Sequence, residues 1–259
     1  MTTLAANPPA APAARSAAAA PRVVNVLRLH LTNKFTTLGL PLLILGFIFL
    51  VNYVIWLLIY TSTPEGNREA TAGTQYSGSI AYVFIYMAII AVQVVLRTFP
   101  FALGFSITRR EFALGSALLF GSLSVIYAAI LTVMSYLEDA TDGWGVGGHM
   151  FSTVWYGTGT VAERFSQEFF GLLFFFFVGA AVAVVYLRWR AIGQTVLWAG
   201  LVLVGLGVVA LITLTNGWAS VGQWFVDAGP YGVVLWTLPV TAVAALFGFF
   251  VLRRATPVS

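Results

Sequence analysis

Cysteine is absent from the 259-residue chain, which excludes disulfide frameworks, thiolate metal sites and cysteine nucleophiles. Charge is nearly as scarce. Asp, Glu, Lys and Arg together make up 8% of the residues, against about 25% in a soluble domain. A soluble fold of this size would have too little polar surface to meet water. What fills the chain instead is apolar: 59% of residues are hydrophobic and the mean hydropathy is +0.91. The protein therefore uses lipid as part of its solvent.

Six apolar blocks are long enough to cross a bilayer: Leu38–Tyr60, Ile80–Leu96, Phe112–Tyr136, Phe169–Leu187, Ile192–Leu214 and Val233–Leu252. None contains Asp, Glu, Lys, Arg or His. Unpaired backbone is not tolerated in hydrocarbon, and the blocks lack the alternation of barrel strands, so each reads as a helix. The expected fold is an all-α integral membrane protein with six transmembrane helices over 37–254. Residues 1–21, rich in Ala and Pro, read as a disordered tail, and 255–259 as a short second one.

The sparse charges sort by side. Eleven of the thirteen basic residues fall in the N-terminal segment, the second and fourth connections and the C-terminus, with Glu111 the single acid among them. The other connections hold Arg68, Arg164 and eight acids. By the positive-inside bias both termini are cytoplasmic, and the expected location is the plasma (cytoplasmic) membrane.

Before the first span, Val24, Leu27, Leu31 and Phe35 recur at helical spacing. Residues 22–36 thus read as an interfacial amphipathic helix, or as a cytoplasmic extension of the span. Between the fifth and sixth spans, Trp218, Val221, Trp224 and Phe225 form an aromatic stripe, read as an outer helix dipping into the interface or as a loop with aromatic anchors. Ala117 with Gly121, and the Gly200, Gly205, Gly207 group, mark expected close helix contacts.

The second connection is the most informative. Thr108 and Glu111 have the spacing of a capping box that opens a helix. Upstream, Pro100 suits a helix first turn and Gly104 a helix end. A short apolar helix facing the cytoplasm is the expected product. Its Phe99, Phe101, Leu103 and Phe105 need lipid or a protein partner.

Other chemistry is missing. No phosphate-binding G-x-x-x-x-G-K-[ST], zinc H-E-x-x-H or paired intramembrane carboxylates occur. Gly143 to Gly148 formally spell G-x-G-x-x-G, but they follow no expected strand, and the dinucleotide reading is rejected. His149 beside them reads as a solvated loop residue. Asn52 and Gln93 are the main polar side chains in the span interiors and the candidates for lining a pathway. No catalytic residue, metal site, resident cofactor or nucleic-acid partner is expected. Without ionisable groups at mid-depth a proton-coupled carrier is disfavoured, so the driving force should come from another subunit.

The run Thr108-Arg109-Arg110-Glu111-Phe112, with Gly115, resembles the [ST]-R-R-E-[FL] opening of the third span in permease subunits of the ABC type 2 exporter family. Thr98 to Phe105 then occupy the position of that family's coupling helix. The resemblance implies a separate ATPase subunit that binds ATP and Mg. It also implies a second permease chain, identical or related, and export of an amphiphile such as a drug, lipid or peptide. The implied ATPase-coupling residues are Arg97, Thr98, Phe99, Pro100, Phe101, Leu103, Phe105, Thr108, Arg109, Arg110 and Glu111. Many family members carry an acid just upstream of the coupling helix; here Arg97 stands there. The rival reading is a non-transporting anchor, sensor or assembly subunit that binds a partner through the outer loop Leu137–Gln167.

Overall fold

The computed structural model describes residues 35–62 and 68–254. The expected tails, and the interfacial helix 22–36 apart from its last two residues, lie outside the described residues. Helix α1 (Leu40–Ser62) is entered through a π turn, Phe35–Gly39. A 3-10 helix (Arg68–Tyr76) precedes α2 (Ala81–Gln93). Then come a π turn (Val94–Thr98), the short α3 (Phe99–Gly104), α4 (Arg109–Ala140), α5 (Val161–Leu214) and α6 (Trp218–Arg254). Among the described residues there is no strand. Five helical stretches are long and apolar enough to cross a membrane.

Helix α5 is the exception in length. At about 1.5 Å per residue a straight helix of its 54 residues would reach roughly 80 Å, more than twice the hydrocarbon core. It is not straight. Arg190 sits at φ 57°, ψ −146°, a backbone region that costs a side-chain-bearing residue about 1–3 kcal/mol. Across that break Gln194 Nε2 donates to the Val182 carbonyl at 2.7 Å. In a continuous helix those residues would lie about 18 Å apart. Residues 161–189 and 191–214 therefore form a helical hairpin.

A second break bends α6. Gly229 has φ 60° and ψ 176°, and Pro230, with its fixed φ and missing N–H, opens the helix that follows. The elbow brings Trp224 to within 6.1 Å of Trp236, ring to ring. Residues 218–228 thus form a helix, and Trp218, Trp224 and Phe225 are exposed on it.

The core is built by α2, α4 and the first half of α5. Phe84, Met87, Phe112, Leu119, Phe120, Leu123, Leu172 and Phe176 are all buried there. The Phe120 and Phe176 rings stack at 4.9 Å. Tyr127 ties α1 to this core by donating to the Leu38 carbonyl at 3.0 Å. By contrast 191–214 is exposed nearly all round, with Ile192, Val196, Leu203 and Leu214 among its open apolar side chains. A largely apolar exposed helix without a charged side chain suits a lipid surround. The expected close contacts at Gly121, Gly200, Gly205 and Gly207 are not made: a methyl group built at any of them would meet nothing within 4 Å. Backbones approach instead at Gly179, where a Cβ would lie 2.5 Å from the Ala88 carbonyl oxygen.

Candidate functional site

The two ends of the bundle differ in chemistry. At the basic end, α2 passes into α3 with helical backbone throughout, through the π turn Val94–Thr98. The short helix expected from Pro100 and Gly104 is present over Phe99–Gly104. Pro100 explains the geometry: it has no N–H to give the preceding turn, and the ladder widens just before it. Helix α3 ends at Gly104, and Ser106 takes a left-handed φ of 58° to reverse the chain. Thr108 then caps α4. Its side chain accepts from the Glu111 N–H at 3.2 Å, while Glu111 Oε2 accepts from the Thr108 N–H at 2.9 Å. The capping box read in the sequence is formed in full.

These constraints sort the predicted coupling residues into two groups. Phe99 is 1% exposed and packs its ring edge against Phe112 at 5.2 Å. It needs no outside partner, which corrects the expectation for that residue, and Leu103 is half-buried against the same core. Phe101 and Phe105 are 68% and 73% exposed and, with Pro100 and Gly104, border a shallow apolar depression. Arg97, Thr108 and Arg110 are exposed around them, whereas Thr98 and Arg109 are half-buried and Glu111 is buried. Arg109 Nη1 donates to the Arg253 carbonyl at 2.7 Å, fixing the end of α6 to the start of α4.

The pathway candidates do not converge. Asn52 donates to the Ile48 carbonyl at 2.8 Å in its own helix and accepts from Ser79 Oγ at 3.2 Å, beside the start of α2. Gln93 lies at the far end of α2, half-buried, about 20 Å along the axis.

At the acidic end sequence reasoning missed the organising residue. Glu138, in the last turn of α4, is fully buried. Its carboxylate accepts from the Met150 N–H at 2.9 Å, the Phe151 N–H at 3.1 Å, the Ser152 N–H at 2.7 Å and Trp144 Nε1 at 3.0 Å. The glycine-rich run makes this wrapping feasible. Gly143, Gly145 and Gly147 all have positive φ, and a Cβ at Gly143 would lie 2.5 Å from the Gly148 nitrogen. The G-x-G-x-x-G run is thus a tight turn closed on its own backbone, with Gly145 N–H donating to the Thr141 carbonyl, Gly147 N–H to Asp142 and Gly148 N–H to Gly143, and it delivers the Met150 to Ser152 donors to the Glu138 carboxylate. Its sequence signal was an acid two residues past an apolar block followed by clustered glycines.

His149 Nδ1 stands 3.8 Å from Glu138 Oε1, a charge contact rather than a hydrogen bond. That carboxylate holds the imidazole above its ordinary value, against the lowering effect of partial burial. Arg164 locks the next helix to the same cap. It reaches Asp139 at 2.6 Å, donates Nε to the Gly159 carbonyl at 3.0 Å, and lies 4.1 Å over the Tyr136 ring. Thr160 and Glu163 form a second capping box, also unread in the sequence, so α5 starts eight residues before the apolar block. The cap is fastened to the 3-10 helix by Thr71 Oγ1 donating to the Val146 carbonyl at 2.8 Å. Neither a family model, nor a curated protein, nor a solved structure matches the chain.

Proposed function

We propose that the chain is the membrane-spanning permease subunit of an ATP-binding-cassette transporter. In this reading it makes six crossings, with both termini in the cytoplasm. ATP and Mg bind a separate ATPase subunit that docks at the basic end, and a second permease chain completes the pathway for an amphiphilic substrate. One observation carries the reading: Phe101, on a six-residue helix continuous with α2, and Phe105, at its C-cap, stand exposed and are braced by Phe99 and a capped α4. A force on that knob would be transmitted to two core helices. The absence of Asp, Glu, Lys, Arg and His from the six apolar blocks fits a subunit that draws its energy from elsewhere. The hairpin at Arg190 supports counting α5 as two crossings.

The test is copurification of the tagged chain in mild detergent, followed by Phe101→Asp. An ATP-binding-cassette subunit should copurify with the parent. Losing one Phe that docking would bury, about 1.5–3 kcal/mol, should weaken docking roughly ten- to hundredfold while insertion stays intact. Phe101 is the better position because Leu103 also serves the internal core. Failure of any ATPase to copurify, or normal coupled hydrolysis by the variant, overturns the assignment. The folded acidic cap favours a second reading, a non-transporting membrane module that binds a partner through the outer loop Leu137–Gln167. Capture of such a partner with no ATPase present would select it.

A further inference from the structure

Between α4, the first half of α5 and α6 runs an apolar cleft with a volume of about 230 Å³. Small residues, Ala117, Ala180, Ala244 and Gly248, line it together with Phe112 and Phe249. Small-molecule sites run from about 300 to 1,000 Å³ and carry a few convergent polar groups. This cleft is narrower, and Ser116 is the one polar residue in its lining. Its end toward Phe112 and Leu252 lies beside the arginines of the basic end. Arg253, exposed, holds its guanidinium 5.6 Å over the Phe249 ring, and Arg109 is bonded to the Arg253 carbonyl. Arg110, next in the chain, is exposed. The carboxylate nearest in sequence, Glu111, is buried and accepts from the Thr108 N–H and Oγ1.

We infer that this cleft seats one acyl chain of an anionic diacyl phospholipid, with its phosphate held by Arg109 and Arg253 at the basic end. The lining excludes water and matches a hydrocarbon chain. The arginines sit where a headgroup emerges from the apolar layer. A lipid held there would bridge α4 and α6, which meet otherwise through the Arg109–Arg253 bond and a few side chains. The inference uses only the membrane-spanning character of the helices and is independent of any ATPase.

The test is a titration of the delipidated full chain in detergent with phosphatidylglycerol or phosphatidylcholine of identical chains, counting bound lipid by native mass spectrometry. The parent should retain one phosphatidylglycerol at lower concentration than phosphatidylcholine. Arg109→Gln and Arg253→Gln should each weaken phosphatidylglycerol retention about fivefold and leave phosphatidylcholine unchanged. Ala117→Phe and Ala244→Phe, placed on different helices, should abolish saturable retention of both lipids. Equal retention of the two lipids by the parent overturns the inference. So does a groove-filling variant that still binds lipid. If instead those variants convert a dimer to monomers with lipid retention intact, the cleft is a contact between two copies and the inference falls. Arg253→Gln alters an exposed side chain, so its result stands even where a cleft variant fails to fold.

Discussion

Glu138 shows how a single carboxylate can fold twenty residues of loop. Three consecutive backbone N–H groups and an indole N–H converge on it inside a fully buried site, and hydrogen bonds to a charged group are each worth about 1.5–3 kcal/mol. Glu138→Gln keeps the shape, removes the charge and turns an amide donor toward donors. Hydrogen exchange at Met150, Phe151 and Ser152 should then accelerate at least about tenfold, the equivalent of ~1.4 kcal/mol. Unchanged protection would show that the loop holds itself. His149 adds a pH dependence. Its imidazole is raised by Glu138, with Asp139 and the Ser152 backbone contributing in the same direction. A raised value means that the folded cap binds a proton more tightly than the unfolded chain. The stabilisation is therefore fully present below the ordinary value near 6.5 and is lost as pH climbs through the raised one. Exchange protection of 141–160, corrected for intrinsic rates, should fall across that window. His149→Gln should flatten the dependence.

At the scale of helices, the chain announces its ends more clearly than its contacts. Thr108 and Glu111 declare the start of α4, Pro100 and Gly104 frame α3, and the apolar blocks mark the spans, because caps and breakers are local chemistry. Which helices touch is another matter. In lipid the core face and the outer face are both apolar, so the periodicity that orients a soluble helix is weak. Small residues at Gly200, Gly205 and Gly207 marked a place where a backbone could approach, and in the fold none does. The approach occurs at Gly179, within an apolar run no different in composition. Gly179→Val should force α2 and α5 apart at a cost of about 1–3 kcal/mol, read as a lower melting temperature of the purified chain in detergent. Gly200→Val, pointing into open space, should leave it unchanged. Equal effects at the two sites would mean that the described α2–α5 packing is wrong.

For the molecule as a whole, the decisive feature is how many times α5 crosses. A 54-residue helix passing once through the bilayer would leave some 50 Å protruding and would bury Ile192 to Leu214 in water. Such an apolar run demands lipid, and Arg190 at the bend and Arg188 two residues before it are the residues that resist entering it. The two schemes predict opposite sides for the segment that follows. If α5 turns back at Arg190, Trp155 and Gly222 share a face of the membrane, opposite Gly104. If it passes through once, Gly222 joins Gly104. Because the chain has no cysteine, single cysteines can be placed at these three positions without a background to remove. Trp155 and Gly104 are exposed, and Gly222 borders open space. A membrane-impermeant maleimide applied to intact cells should label Trp155→Cys and Gly222→Cys and spare Gly104→Cys until the membrane is opened. Labelling of Trp155→Cys and Gly104→Cys together would break the orientation set by the arginines. Labelling that separates Trp155→Cys from Gly222→Cys would leave five crossings and place the two termini on opposite sides, and the C-terminal arginines Arg253 and Arg254 would then face the side that positive charge avoids.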